Sequence, residues 1–295
     1  MLSHRLSATP ARRRRVATVL GTLTAAVSML VTMVGTATAA PQPTQNSLKP
    51  GTAYMGVGQE IHQGLRPDGG TSVSPLASTG GVQGVDVSNW QGSINWTSVR
   101  NSGIQFAWMK ATEGSSYKDP SFNTNYPGAY YAGVIRGAYH FATPNTSSGA
   151  TQANYFASNG GGWSRDNMTL PGVLDIEYNP YGSTCYGLST TSMRSWINDF
   201  YNTYKARTSR DMVIYTTANW WNTCTGNWTG MSTKSPLWVA NWTTASSPTI
   251  PVGFPTWTVW QYTSTGTVSG ISGNVDRDQF NGTRDRLLAL ANNTA

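Results

Sequence analysis

Residues 170–177 read LPGVLDIE, a short apolar run that ends in two acids set two residues apart. In a β-strand, residues i and i+2 point to the same side with about 6.6 Å of rise between them. Asp175 and Glu177 therefore share one face, while Leu174 and Ile176 pack on the other. Two acids side by side in an apolar strand crowd each other, which raises the proton affinity of one of them. That is how a general acid is kept protonated near neutral pH. Taken alone, D-x-E recurs by chance, and Asp175 could equally be a partner for an arginine or a helix end.

Similar β-branched or aromatic runs recur on either side: GVQGVDVS (81–88), IQFAWMKA (104–111), VIRGAYHF (134–141), MVIYTT (212–217), LWVANW (237–242), TWTVWQYT (256–263) and NVDRDQF (274–280). Together they make eight strand candidates. Helix-like stretches separate the early ones, at residues 96–101, 120–132, 150–158 and 189–207. In the longest, Met193, Trp196, Ile197, Phe200, Tyr201 and Tyr204 fall on one helix face. Ser189, Thr190 or Thr191 can cap its start, and Lys205 and Arg207 suit its negative end. Strand then helix, repeated four or five times, requires parallel strands with right-handed crossovers. The helical patterns fade beyond about residue 222 while strand signals continue. The expected fold is α/β, a TIM-like irregular barrel whose last part is nearly bare strand. An open doubly wound sheet fits less well, because no Gly-rich phosphate turn follows the first strand.

The chain of 295 residues carries 20 Lys+Arg against 13 Asp+Glu, a formal net charge of +7, which by itself would suit a polyanion binder. The charge is unevenly placed. Arg5 and the run Arg12 to Arg15 precede a weakly apolar stretch from Val16 to Val34 and then Ala37-Thr38-Ala39, the layout of a secretory signal cut after Ala39. Thr18, Thr22, Thr24, Ser28 and Thr32 make that stretch a poor membrane anchor. Without residues 1–39 the chain keeps 15 basic and 13 acidic residues, a net of +2, and no basic run. A nucleic-acid partner is therefore not expected. A secreted, extracellular protein with no stable membrane association is.

Residues 40–80 are rich in Pro, Gln, Ser, Thr and Gly and show no sustained period, so they read as a pro-segment or linker, with the mature chain starting near Ala77 to Gly81. The working domain is residues 81–295, which holds all 12 Trp and both cysteines. In an oxidising compartment a Cys185–Cys224 disulfide is the default, and closing a loop of about 40 residues would stabilise by roughly 4 kcal/mol. His140 is the sole histidine after His62, too thin a ligand set for a metal site. Neither a metal nor a cofactor is expected.

No G-x-S-x-G elbow, P-loop, H-E-x-x-H or C-x-x-C occurs, which leaves the carboxylates. Asp86 ends the first strand candidate and Asp276 stands in the eighth, so closing the barrel brings both to the mouth that Asp175 and Glu177 line. Only 11 acids follow residue 80, and four of them fall at strand ends. At the carboxyl end of a barrel this grouping reads as a glycosidase site.

GVDVSNWQG (84–92), FAWMKATEG (106–114), GAYHF (137–141), LDIE (174–177), WVANW (238–242), WQYT (260–263) and VDRDQF (275–280) resemble, in order and spacing, the motifs of glycoside hydrolase family 25, the Ch-type lysozymes. The resemblance runs from about residue 81 to 281. It implies a (β/α)5(β)3 barrel and a 1,4-β-N-acetylmuramidase that cleaves the β-1,4 bond after N-acetylmuramic acid in bacterial peptidoglycan. A monomer acting on cell-wall glycan strands is expected. Carried over position by position, Glu177 is the general acid, and Asp175 is the nucleophile or the group that steadies the substrate's own 2-acetamido. Asp86 and Asp276 shape the charge and hold sugar or catalytic water. Glu113, Tyr139, Tyr215, Trp242 and Gln261 match positions near the sugar, although such aromatics can also simply be core. A chitinase-like glycosidase would need an acid where Val173 stands. A non-catalytic carbohydrate-binding domain would have no use for clustered acids.

Overall fold

The structure, a computed structural model, describes residues 48–63 and 81–294. The expected signal segment lies outside the described residues, and the expected 40–80 segment falls within them only over residues 48–63. There the sequence shows no period, yet the chain forms a short helix, α1 (Val57–Gln63).

Eight strands then close on themselves. β1 (Val82–Val87) and β2 (Phe106–Glu113) pair in parallel. β3 (Tyr117–Lys118) is a two-residue ribbon folded back on the end of β2. β4 (Ile135–Phe141), β5 (Val173–Asp175), β6 (Val213–Thr216), β7 (Leu237–Ala240) and β8 (Val259–Gly266) continue the parallel order from β2. β9 (Val275–Phe280) returns antiparallel between β8 and β1 and closes the barrel. Every strand candidate of the sequence is a strand here.

Five helices fill the crossovers: α2 (Trp96–Asn101), α3 (Phe122–Tyr131), α4 (Gly149–Ser158), α5 (Thr190–Thr208) and α6 (Ala218–Thr225), while none separates β7, β8 and β9. The architecture is thus (β/α)5(β)3, as expected. In α5 the six residues of the apolar face are the buried ones, and the Ser189 hydroxyl accepts from Ser192 N. Two further helices lie outside the sequence reading. α6 buries Trp220, Trp221, Cys224 and Thr225 on one face, started by Thr217, whose hydroxyl accepts from Trp220 N. α7 (Arg284–Asn292) follows the barrel and is capped by Thr283.

Strand alternation separates two apolar layers. Val82, Phe106, Trp108, Val173, Trp238 and Phe280 point into the barrel, where Leu287 and Ala291 of α7 close the end from which the parallel strands start. Leu174, Ile176, Ile214, Val239 and Trp260 point out and pack with Phe156, Phe200 and Trp220 of the helices. The Cys185–Cys224 disulfide, with Cα atoms 5.4 Å apart, ties the loop after β5 to α6.

Candidate active site

The other end of the barrel, where the parallel strands finish, is polar inside. On β1, Val85 and Val87 join the outer layer with Val99, so Gly84 and Asp86 face inward. The β1–β9 register sets Asp86 opposite Asp276 and Gly84 opposite Asp278. All three carboxylates are buried. Asp278 was missed from the sequence, although its i+2 spacing from Asp276 already put both on one face. Gly84 is needed there because a Cβ would come within 2.2 Å of the Phe106 ring.

Gln261 of β8 links the seam to the wall. Its Nε2 donates to Asp86 Oδ2 at 2.8 Å, and its Oε1 accepts from Tyr215 Oη at 2.7 Å and from Trp242 Nε1 at 3.1 Å. Trp238 Nε1 donates to Asp278 Oδ1 at 3.2 Å. Burial pushes the Asp86 carboxyl up to about 7 against the opposing hydrogen bonds of Gln261 and Asp278. Burial also raises Asp276 and Asp278 well above the ordinary carboxylate range, and in both the next cause is the neighbouring charge of Asp86. The three therefore act as a proton-sharing cluster rather than as separate anions.

Asp175 and Glu177 leave β5 on the inner side while Leu174 and Ile176 join the outer layer. Asp175 is fully buried, and neither carboxylate oxygen has a hydrogen-bond partner among the described residues. Burial first, then the charges of Glu177 and Asp86, hold its carboxyl far above the usual range. Burial pushes Glu177 up to about 8, while backbone N–H groups of Gly56, Gln59 and Gly58 pull it back. Gly56 N donates to Glu177 Oε1 at 2.7 Å, and Glu177 Oε2 has no hydrogen-bond partner among the described residues. A carboxyl in this state is protonated at neutral pH and can donate.

β2 contributes a buried ion pair, Lys110 Nζ to Glu113 Oε2 at 2.6 Å. Residues three apart on a regular strand face opposite sides. A register shift between Lys110 and Thr112 against β4 inserts one extra residue, and that bulge returns Glu113 to the inner face. Tyr181 Oη donates to Glu113 Oε1 at 2.5 Å. Lys110 and Tyr181 were not foreseen, although Lys110 follows the alternation of Phe106 and Trp108; the bulge that turns Glu113 beside it leaves no mark in the sequence.

Tyr139 on β4 is fully buried in the inner layer, and its hydroxyl has no partner among the described residues. Burial and the charges of Asp86 and Asp175 keep that hydroxyl protonated. His140, next along the strand, points the other way. It lies between Thr112 Oγ1 at 2.8 Å and Gln152 Oε1 at 3.0 Å, against Phe156 and Phe200, and burial pushes it down to about 4. It is a neutral packing residue away from the mouth. Of the residues expected at the site, Asp86, Gln261, Tyr215 and Trp242 form one hydrogen-bonded chain, with Asp276 opposite Asp86. The charges of Glu177, Asp86 and Glu113 all bear on Asp175.

The arrangement offers a proton donor above a set of carboxylates, suited to a reaction in which positive charge develops. The family model described as glycosyl hydrolases family 25 matches residues 85–271. Lysozyme M1 of Streptomyces globisporus is 64% identical over 287 residues, 96% of each chain. An N,O-diacetylmuramidase of Arthroderma benhamiae is 45% identical over 213 residues, 72% of this chain and 87% of its own. Among solved structures, the bacterial lysozyme from Streptomyces coelicolor is 71% identical with a TM-score of 0.72, covering 74% of this chain and 100% of that one. A family GH25 lysozyme from Aspergillus fumigatus is 52% identical with a TM-score of 0.68, covering 72% and 99%. With the barrel, the carboxylate mouth and these likenesses in agreement, the chain belongs to glycosyl hydrolases family 25.

Proposed function

We propose that the chain is a secreted lysozyme that hydrolyses the β-1,4 bond between N-acetylmuramic acid and N-acetylglucosamine in bacterial peptidoglycan. The observation that carries this reading is geometric: strand alternation brings Asp175 and Glu177 to the inner face at the end of β5, in the same mouth as the facing pair Asp86 and Asp276. Glu177 gives its proton to the glycosidic oxygen as that bond breaks, and the negative charge shared among the neighbouring acids stabilises the oxocarbenium character that develops at C1. Asp175 acts from the other side of the anomeric carbon. Direct attack and support of the substrate's own 2-acetamido both retain configuration, and water completes either route with Glu177 as base. Asp86 and Asp276 set the local charge, and Gln261, Tyr215 and Trp242 hold the sugar and keep Asp86 in place. Glu113 and Tyr139 line the same groove.

The likeness to N,O-diacetylmuramidase supports muramic acid as the residue on the cleaved side. Export as a monomer after removal of residues 1–39 completes the reading. Among the described residues no helix is long and apolar enough to cross a membrane. The test is to digest purified peptidoglycan and identify the new reducing end. N-acetylmuramic acid supports the assignment and N-acetylglucosamine overturns it. Proton NMR of the first product should show retained anomeric configuration.

A further inference from the structure

Residues 48–63 enter the mouth of the barrel. Gly51, Ala53, Met55, Gly56, Val57 and Gly58 are buried. Met55 reaches the inner layer beside Tyr139 and Tyr215. The backbone is held like a ligand. Gly51 N donates to Glu113 Oε1 at 2.7 Å, Lys110 Nζ donates to the carbonyls of Gly51 (3.2 Å) and Ala53, and Ala53 N donates to Tyr181 Oη at 3.1 Å. Gly56 N donates to Glu177 Oε1. At the rim, Trp90 Nε1 donates to Thr52 O at 2.8 Å, and the His62 ring stacks on Tyr178.

Two glycines permit the close approach. A Cβ on Gly56, whose φ is +85°, would come within 2.9 Å of the Trp242 ring, and one on Gly58 would come within 2.2 Å of the Tyr178 carbonyl and 2.8 Å of Glu177 Oε2. A glycan cannot reach Glu177, Trp242 or Gln261 while these atoms lie against them. We propose that residues 48–63 are an intramolecular inhibitor seated in the substrate groove, and that the chain is latent until an endopeptidase cuts within residues 64–80 and the segment leaves. This inference rests on the muramidase reading of the same groove. Hydrolysis of one peptide bond consumes one water and leaves a new carboxylate and a new amino terminus. Before the cut the segment is covalently joined to the barrel, and after it the segment is retained only by its own affinity. The solved relatives from S. coelicolor and A. fumigatus, covered to 100% and 99% by 74% and 72% of this chain, leave part of it without a counterpart.

The experiment uses the exported chain with a site-specific protease sequence placed within residues 71–76. Peptidoglycan hydrolysis is measured uncut, and again after cutting and separation of the segment. Activity should rise at least about 100-fold, synthetic peptide 48–63 should inhibit the cut chain again, and Gly58→Val should raise the activity of the uncut chain alone. Amide exchange of Gly51 and Gly56 should be slow in the uncut chain. Equal activity before and after cutting, or free-peptide exchange rates over residues 48–63, overturns the proposal. If the cut chain releases no muramic acid ends, the muramidase reading falls; slow exchange and peptide binding to the cut chain would still support docking, and their absence would overturn it.

Discussion

The two ends of this barrel are built from the same strands with the same alternation and are both buried, yet they are opposite in polarity. At the end where the parallel strands begin, Val82, Phe106, Val213, Val259 and Phe280 meet Leu287 and Ala291 of α7 in an apolar seal. At the end where they finish, the same inward positions hold Asp86, Lys110, Asp175, Gln261 and Asp276, all buried. One end gains free energy by excluding water, at about 25 cal/mol per Å² of apolar surface. The other spends it on desolvated carboxyls that hydrogen bonds only partly compensate. Stability and chemistry are thus assigned to opposite ends of one set of strands, and substitutions can separate them.

The largest effect is expected at the mouth. Glu177→Gln should lower the release of reducing ends by about 10²- to 10⁴-fold, the scale of a lost general acid, with a melting temperature equal to or above that of the parent. A fall in both together would break the division. At the seal the signs reverse: Leu287→Ala should cost about 3 kcal/mol in chemical denaturation and leave the turnover of the folded fraction unchanged. Leu287 lies in the apolar cluster that closes the far end, so a loss of turnover there would show that the ends are coupled.

The acidity of the mouth supplies a third measurement. Carboxyls titrate near 4 in an unfolded chain, while burial raises Asp86 to about 7 and Glu177 to about 8. The folded state then binds more protons than the unfolded state across that interval. Stability from these groups is full below pH 4 and is lost as pH rises through 7 to 8. Melting of the uncut chain should therefore fall between pH 4 and 8. Asp278→Asn, which keeps a donor for Asp86 while removing one titrating group, should flatten the slope by up to about 1.4 kcal/mol per pH unit. An unchanged slope would show that Asp278 does not share protons with Asp86. The smallest effect belongs to Trp242→Phe. It removes one 3.1 Å hydrogen bond to Gln261 Oε1, worth about 1 kcal/mol, and should lower activity severalfold through KM.

The seal and the outer layer were legible because burial there follows a period. All eight barrel strands and helices α2 to α5 could be placed from apolar runs and one clear helix face. α6 was not, because its Trp220, Trp221, Cys224 and Thr225 fall on one face but span only two turns, too short a stretch for the period to stand out from the strand signals around it. At the mouth, legibility depended on parity. Asp86, Asp175, Glu177 and Asp276 follow it, and Asp278 would have been found by applying it once more along β9. Lys110 and Glu113 share a face only through the β2 bulge, a tertiary adjustment to β4. The path of residues 48–63 lay further still beyond sequence reading. Gly56 and Gly58 matter there for what they lack, and only the shape of the groove explains it.

The antiparallel return of β9 has a consequence for the timing of synthesis. Asp86 emerges from the ribosome early, yet the Gln261 amide that orients it lies 175 residues further on, and Asp276, which faces it across the seam, comes later still. The strand that completes the mouth is the last of the barrel to be made. An unfinished chain carries Asp86 and Glu177 without Asp276, Asp278 or the α7 seal, so assembly of the mouth reports that the whole barrel has been delivered.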